Sequence, residues 1–93
     1  MNKNVIISCM ESIEEVLRDY DCTLDSAIED KYCYDLLCFH GVRLCIQLMM
    51  DKQKLPEEVS EIFGCFIAVE DVERTKVISV LKELLECARI CIE

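Results

Sequence analysis

Between Asn4 and Tyr20, apolar residues fall at Ile6, Cys9, Met10, Ile13, Val16, Leu17 and Tyr20, among others. That is the i, i+3, i+4, i+7 spacing which lines one side of a helix. Glu11, Glu14, Glu15, Arg18 and Asp19 fall on the other side. The first element is therefore an amphipathic helix over 4–20. Asp21, Cys22 and Thr23 then supply turn and N-cap residue types, so a second helix begins near Thr23 or Leu24.

The second helical region, 24–51 with a break expected near Asp30, changes character at Cys38. From Cys38 to Met50 the only polar side chains are His40, Arg43 and Gln47. At about 100° per residue they share one strip, with Leu37, Leu44 and Leu48 to one side and Phe39, Val42, Ile46, Met49 and Met50 around the rest. A helix apolar nearly all round must be covered nearly all round, by its own domain or by a second copy.

After the polar connector 52–54, Leu55-Pro56-Glu57-Glu58 reads as a helix start, with Pro in the first turn and acids at the positive end of the helix dipole. Val59, Ile62, Phe63, Phe66 and Ile67 extend it over 56–69. A short strand is the competing reading for Gly64 to Val69, since Phe, Ile and Val favour strands, but no partner strand is evident.

Glu70, Asp71 and Glu73 open a last helix over 72–92, whose inner stripe is Val77, Ile78, Leu81, Leu84, Leu85, Ala88 and Ile92. Val80, Cys87 and Cys91 form a second stripe on its flank, and Ile90 points outward. Four helices with short connectors predict an all-α fold, a small antiparallel bundle forming a single domain over 1–93. The surplus apolar surface predicts a homodimer, with Phe39, Val42, Ile46, Met49, Met50, Val80, Cys87 and Ile90 as self-association residues.

Composition agrees with a folded domain, for 53% of the 93 residues are hydrophobic and only 2 Gly and 1 Pro interrupt them. No run of about 18 uncharged apolar residues is counted, and residues 1–15 carry acids where a signal peptide is apolar, so the expectation is a cytoplasmic protein with no membrane contact. The 8 Cys sit mostly inside helical apolar runs rather than in Gly- and Pro-rich loops, so they read as free, packed thiols and not as a disulfide framework.

Charge is uneven. Between Glu11 and Asp30 stand Glu11, Glu14, Glu15, Asp19, Asp21, Asp25, Glu29 and Asp30 against Arg18 alone, so most of the net −9 lies there. Such a surface repels nucleic acid and attracts basic protein surfaces, including phosphate-binding grooves; the bland reading is a solvated face that keeps an apolar chain in solution. The expected partner is a protein with a basic surface, bound by those acids, with no direct nucleic-acid binding.

Cys38, His40, Cys87 and Cys91 have the side-chain chemistry of zinc ligands, but no C-x-x-C occurs, and Cys87-x3-Cys91 offers only two thiols one turn apart. Packing is the simpler role, so no cofactor is expected; a ligand- or zinc-binding helical protein is the second functional reading. Cys38 and His40 are two apart and diverge on a helix, which argues against a thiol–imidazole pair and against an enzyme. The strip His40, Arg43, Gln47 reads as a solvent-facing stripe or a hydrogen-bonded seam across a dimer.

The segment Phe39-His40-Gly41-Val42-Arg43-Leu44-Cys45-Ile46-Gln47-Leu48-Met49-Met50-Asp51 resembles the F-x-x-G-x-R-L-x-x-x-L-M stretch of short helical proteins of unknown function from Firmicutes and their phages. The resemblance covers about 13 of the 93 residues and brings no functional residues with it. It implies a phage or mobile-element origin in a bacterial host, for which an anti-CRISPR-like, nucleic-acid-mimicking inhibitor of a host protein is the natural form of an acidic interaction module.

Overall fold

The structure, a computed structural model, describes residues 3–93, apart from the side chains of residues 66–68, so the expected contribution of Phe66 and Ile67 to the third helix's apolar side lies outside the described residues. Its described residues form a small all-α bundle of four helices: α1 Lys3–Asp19, α2 Lys31–Met50, α3 Glu57–Phe63 and α4 Arg74–Ile92. Short 3₁₀ turns at Ser26–Glu29 and Phe66–Asp71 link α1 to α2 and α3 to α4.

Helix α1 buries Ile6, Cys9, Ile13 and Val16. Tyr20, expected on that stripe, is exposed because the helix ends at Asp19 and the chain turns away. The turn is a Schellman motif: Cys22 N–H donates to Leu17 O at 2.9 Å and Asp21 N–H to Arg18 O at 3.2 Å, with Asp21 left-handed at φ 51°. Met49 to Gln53 end α2 in the same way. Gln53 N–H donates to Leu48 O and Lys52 N–H to Met49 O, both at 3.0 Å, with Lys52 at φ 58°.

The helical region expected over 24–51 is divided, and the division falls at Asp30, where the sequence allowed for a break. Thr23 and Ser26 exchange caps, Ser26 N–H donating to Thr23 Oγ1 at 3.1 Å and Thr23 N–H to Ser26 Oγ at 2.9 Å, and these start only the 3₁₀ turn. The α-helix proper starts after Asp30, whose extended backbone breaks the chain and whose Oδ1 accepts from Cys33 N–H at 3.2 Å. The third helix is also shorter than 56–69. It closes at Gly64, Cys65 is extended, and the segment read alternatively as a strand is a 3₁₀ turn. The last helix starts at Arg74 rather than near 72, since Val72 is extended.

Helix α2 is the hub, packed against α1, α3 and α4. It runs antiparallel to α1, for Cys9 feels the charge of Arg43, His40 that of Glu15, and the Cys22 and Cys33 thiols lie within hydrogen-bond reach near the connection. It runs alongside α4 in the same direction, with Arg74 over Tyr34 and Leu81 beside Gly41. Gly41 permits that approach. A Cβ there would lie 2.8 Å from Phe63 Cε1 and 3.2 Å from Leu81 Cδ1. Cys33, Leu37, Leu44, Cys45 and Leu48 fill the rest of its inner side with no exposure at all. By length and composition α2, with Lys31, Asp35 and Arg43 along it, is long and apolar enough to cross a membrane, and half of its most apolar stretch is packed inside the domain.

Candidate functional site

The residues expected to mediate self-association separate into two sets. Phe39, Ile46, Met49 and Met50 are exposed on α2, and Ile90 on α4. Val42 and Val80 are instead buried in the core, and Cys87 is half-buried. Val42 looked outward by periodicity, but the turn Phe66–Asp71 comes back over that edge of α2, and Val69 and Val42 line the same cleft. Val80 is covered within the bundle with 1% exposure. Tyr32 and Leu36, which the sequence reading did not select, are exposed on the same side of α2 as Phe39 and Ile46.

The polar strip lies where α2 meets α1. Arg43 Nη1 donates to His40 Nδ1 at 3.1 Å, which requires the neutral ring with its proton on Nε2. The Phe39 ring completes the group, edge-on to His40 at 5.3 Å between centroids and 6.0 Å from the guanidinium carbon of Arg43. Burial pushes the His40 pKa below 6.5, Arg43 pushes it further, and Glu15 on α1 opposes both. Gln47, one turn beyond Arg43, is half-buried.

The acids Glu11, Glu14, Glu15 and Asp19 are all exposed on α1, and Asp21, Asp25 and Glu29 are exposed along the connection that follows. Two members have structural work. Asp30 caps α2, and Asp25 Oδ1 meets Lys82 Nζ at 2.7 Å.

A cleft of about 610 Å³ opens between α2, the turn Phe66–Asp71 and the start of α4, with Tyr34, Cys38, Val42, Val69, Val72 and Arg74 among its walls. Arg74 Nη1 donates to Ile28 O at 2.8 Å, and its guanidinium carbon sits 4.9 Å from the Tyr34 ring centre. Both Tyr34 and Cys38 have pKa values pushed up by burial, Cys38 to about 11. Tyr34 and Cys38 are neutral, Arg74 ties the start of α4 to Tyr34 of α2 and to Ile28, and the charged side chains of Lys31, Asp35, Glu70 and Glu73 complete the cleft's lining. Sequence reasoning missed Tyr34 and Arg74, which lie forty residues apart with no shared motif.

The thiol candidates do not converge. None of the eight cysteines is joined in a disulfide. Cys38 belongs to the Tyr34 side of α2 and His40 to the α1 side, while Cys87 neighbours Cys45 and adds to burial in raising its pKa to about 11. Among the described residues no group of three or more His, Cys, Asp or Glu is placed to hold a metal ion.

No family model matches the chain, and neither a curated protein nor a solved structure matches it.

Proposed function

We propose that this protein is a small acidic interaction module that works by docking other protein surfaces. One observation carries the reading. Among the described residues, six of the eight exposed large apolar side chains (Tyr32, Leu36, Phe39, Ile46, Met49 and Met50) stand on a single helix, on the side of α2 turned away from the core. Apolar side chains scattered singly over a surface need no explanation, whereas a continuous strip along 20 residues of helix is what a binding face requires.

On α1, Glu15 is close enough to His40 of α2 to bear on its ionisation. A partner with a basic surface would be steered to α1 by charge. In this reading Glu11, Glu14, Glu15 and Asp19 take the place of a row of phosphates.

The test is capture of basic proteins from host extract by the tagged chain, with and without duplex DNA as competitor. A partner held by the acidic face should be displaced by DNA and lost on reversing Glu11, Glu14, Glu15 and Asp19 to Lys, with the helical circular dichroism unchanged. Equal capture by the wild-type and reversed chains would remove the acidic-docking reading.

A further inference from the structure

The exposed strip of α2 has a spacing of its own. Tyr32, Leu36, Phe39, Arg43, Ile46 and Met50 follow one another at intervals of four, three, four, three and four, the a/d seam of a coiled coil. The seam is about 27 Å long at 1.5 Å per residue, and it lies opposite the stripe Cys33, Leu37, Gly41, Leu44 and Leu48 that faces the domain.

The seam is also symmetrical about the level of Gly41. Its ends, Tyr32 and Met50, are 73% and 69% exposed; the next pair inward, Leu36 and Ile46, are 37% and 41% exposed; Phe39 and Arg43 form the central pair. A two-fold axis at that level pairs each of these residues with its counterpart, since in an isologous interface residue i meets j while j meets i.

We infer that the occupant of this face is a second copy of the chain, its α2 running antiparallel to the first, with Tyr32 against Met50, Leu36 against Ile46 and Phe39 against Arg43 across the two-fold axis. The inference rests on reading the α2 strip as an interaction surface and assigns its partner.

Charge selects the direction. In a parallel, in-register pair Arg43 would face Arg43 inside an otherwise apolar seam, opposing two like charges as they lose water. In the antiparallel pair each guanidinium lies on the Phe39 ring of the other copy, an arrangement its own chain already approaches at 6.0 Å. His40 and Gln47 of both copies then line one edge of the seam, where their polar atoms stay within reach of water and of each other.

Area is adequate. The six exposed apolar side chains of α2 present about 600 Å² per copy, and with Arg43, His40 and Gln47 the face approaches the roughly 800 Å² per partner of a standard interface.

The experiment is sedimentation of the full-length chain under reducing conditions, over low-micromolar to several hundred micromolar protein. The wild type should be a dimer. Leu36→Glu or Ile46→Lys, each placed twice in the interface, should raise the dimer dissociation constant by roughly 100-fold while the helical signal is kept, because both side chains are partly in water already. The chain carrying both changes should recover the dimer, since in an antiparallel pair the carboxylate introduced at position 36 of one copy meets the ammonium introduced at position 46 of the other, at each end of the seam. Failure of the double variant to recover overturns the antiparallel register, for a parallel pair would oppose like charges at both positions.

A wild type that stays monomeric at the highest concentration overturns the second copy as occupant. If Leu36→Glu nevertheless abolishes capture of a partner, or if the monomer floats with neutral lipid vesicles, the α2 strip remains an interaction surface with a different occupant. A monomer that does neither removes the interaction reading of the strip as well.

Discussion

Replacing Gly41 by Ala tests whether the core is as closely packed around α2 as the structure places it. On helix propensity alone the change should stabilise the protein by about 1 kcal/mol, since Gly41 lies in the middle of a 20-residue helix. Packing opposes this. The new Cβ would stand 2.8 Å and 3.1 Å from two ring carbons of Phe63 and 3.2 Å from Leu81 Cδ1, inside the roughly 3.5–4.0 Å that carbon atoms prefer. Neither neighbour can yield toward solvent, because Phe63 and Leu81 both have 0% exposure. Overpacking a closed core typically costs about 1–3 kcal/mol, and the propensity gain offsets the lower part of that range. The expected result is a net loss of about 1 kcal/mol, read as a lower urea midpoint with unchanged slope at one fixed protein concentration. In a Phe63→Leu background the ring carbons are gone, so the penalty for Gly41→Ala should shrink by about 1 kcal/mol, a coupling that a double-mutant cycle isolates. A Gly41→Ala variant as stable as the wild type, with no coupling to Phe63, would refute the close approach of α3 and α4 to α2.

Five further outcomes are expected. Asp30→Ala should cost about 1 kcal/mol of stability through loss of the α2 cap, whereas Thr23→Ala, which caps only a 3₁₀ turn, should cost less by urea denaturation. Lys52→Gly should raise stability by about 0.5 kcal/mol, because the residue sits at φ 58° and glycine has no Cβ penalty there; a loss would show that the Lys52 side chain contributes more than its strain. Cys33, Cys38 and Cys45 have pKa values raised to about 11, in each case first by burial, so they are neutral thiols at pH 8, and exposed Cys65 should be alkylated before them when mass is followed with time. A raised folded-state value means the stabilisation is complete below the unfolded thiol pKa and is lost as pH climbs toward 11, so the melting temperature should fall between about pH 9 and pH 11. His40 works in the other direction. Its lowered pKa, caused first by burial and then by Arg43, predicts an imidazole titration midpoint below 6.5 by NMR and stability that declines as pH falls through that midpoint.

Local pattern determined much of this molecule. The α1 stripe was legible because one apolar face at helical period has a single way to meet a core, and Ile6, Cys9, Ile13 and Val16 are buried as that period requires. The inner residues of α4 were legible for the same reason, from Val77 to Ala88. So was the exposure of the acids on α1, since charge belongs in water unless it is paired.

Helix α2 was where periodicity ran out. Two seams, one through Leu37, Gly41, Leu44 and Leu48 and the other through Tyr32, Leu36, Phe39, Arg43, Ile46 and Met50, have the same alternation of three and four; the pattern placed Phe39, Ile46, Met49 and Met50 outward, where they are exposed, but passed over Tyr32 and Leu36 and could not say what the inner seam meets. The approach of Phe63 and Leu81 to Gly41 decided it, since only a side chain-free position lets two other helices come so near. The burial of Val42 and Val80 was likewise a tertiary outcome, because both stood at the edges of their stripes, and what covers an edge depends on where distant segments return. The helix boundaries followed from competition between caps: Thr23 and Asp30 are both good N-cap residues, and the extended backbone at Asp30 assigned the long helix to the second. The sequence by itself determined that there would be helices, which of their residues are charged, and that more apolar surface exists than one small core can hide. Tertiary structure decided which of that surface is left in water, because burial depends on neighbours contributed from forty residues away, and no local rule encodes them.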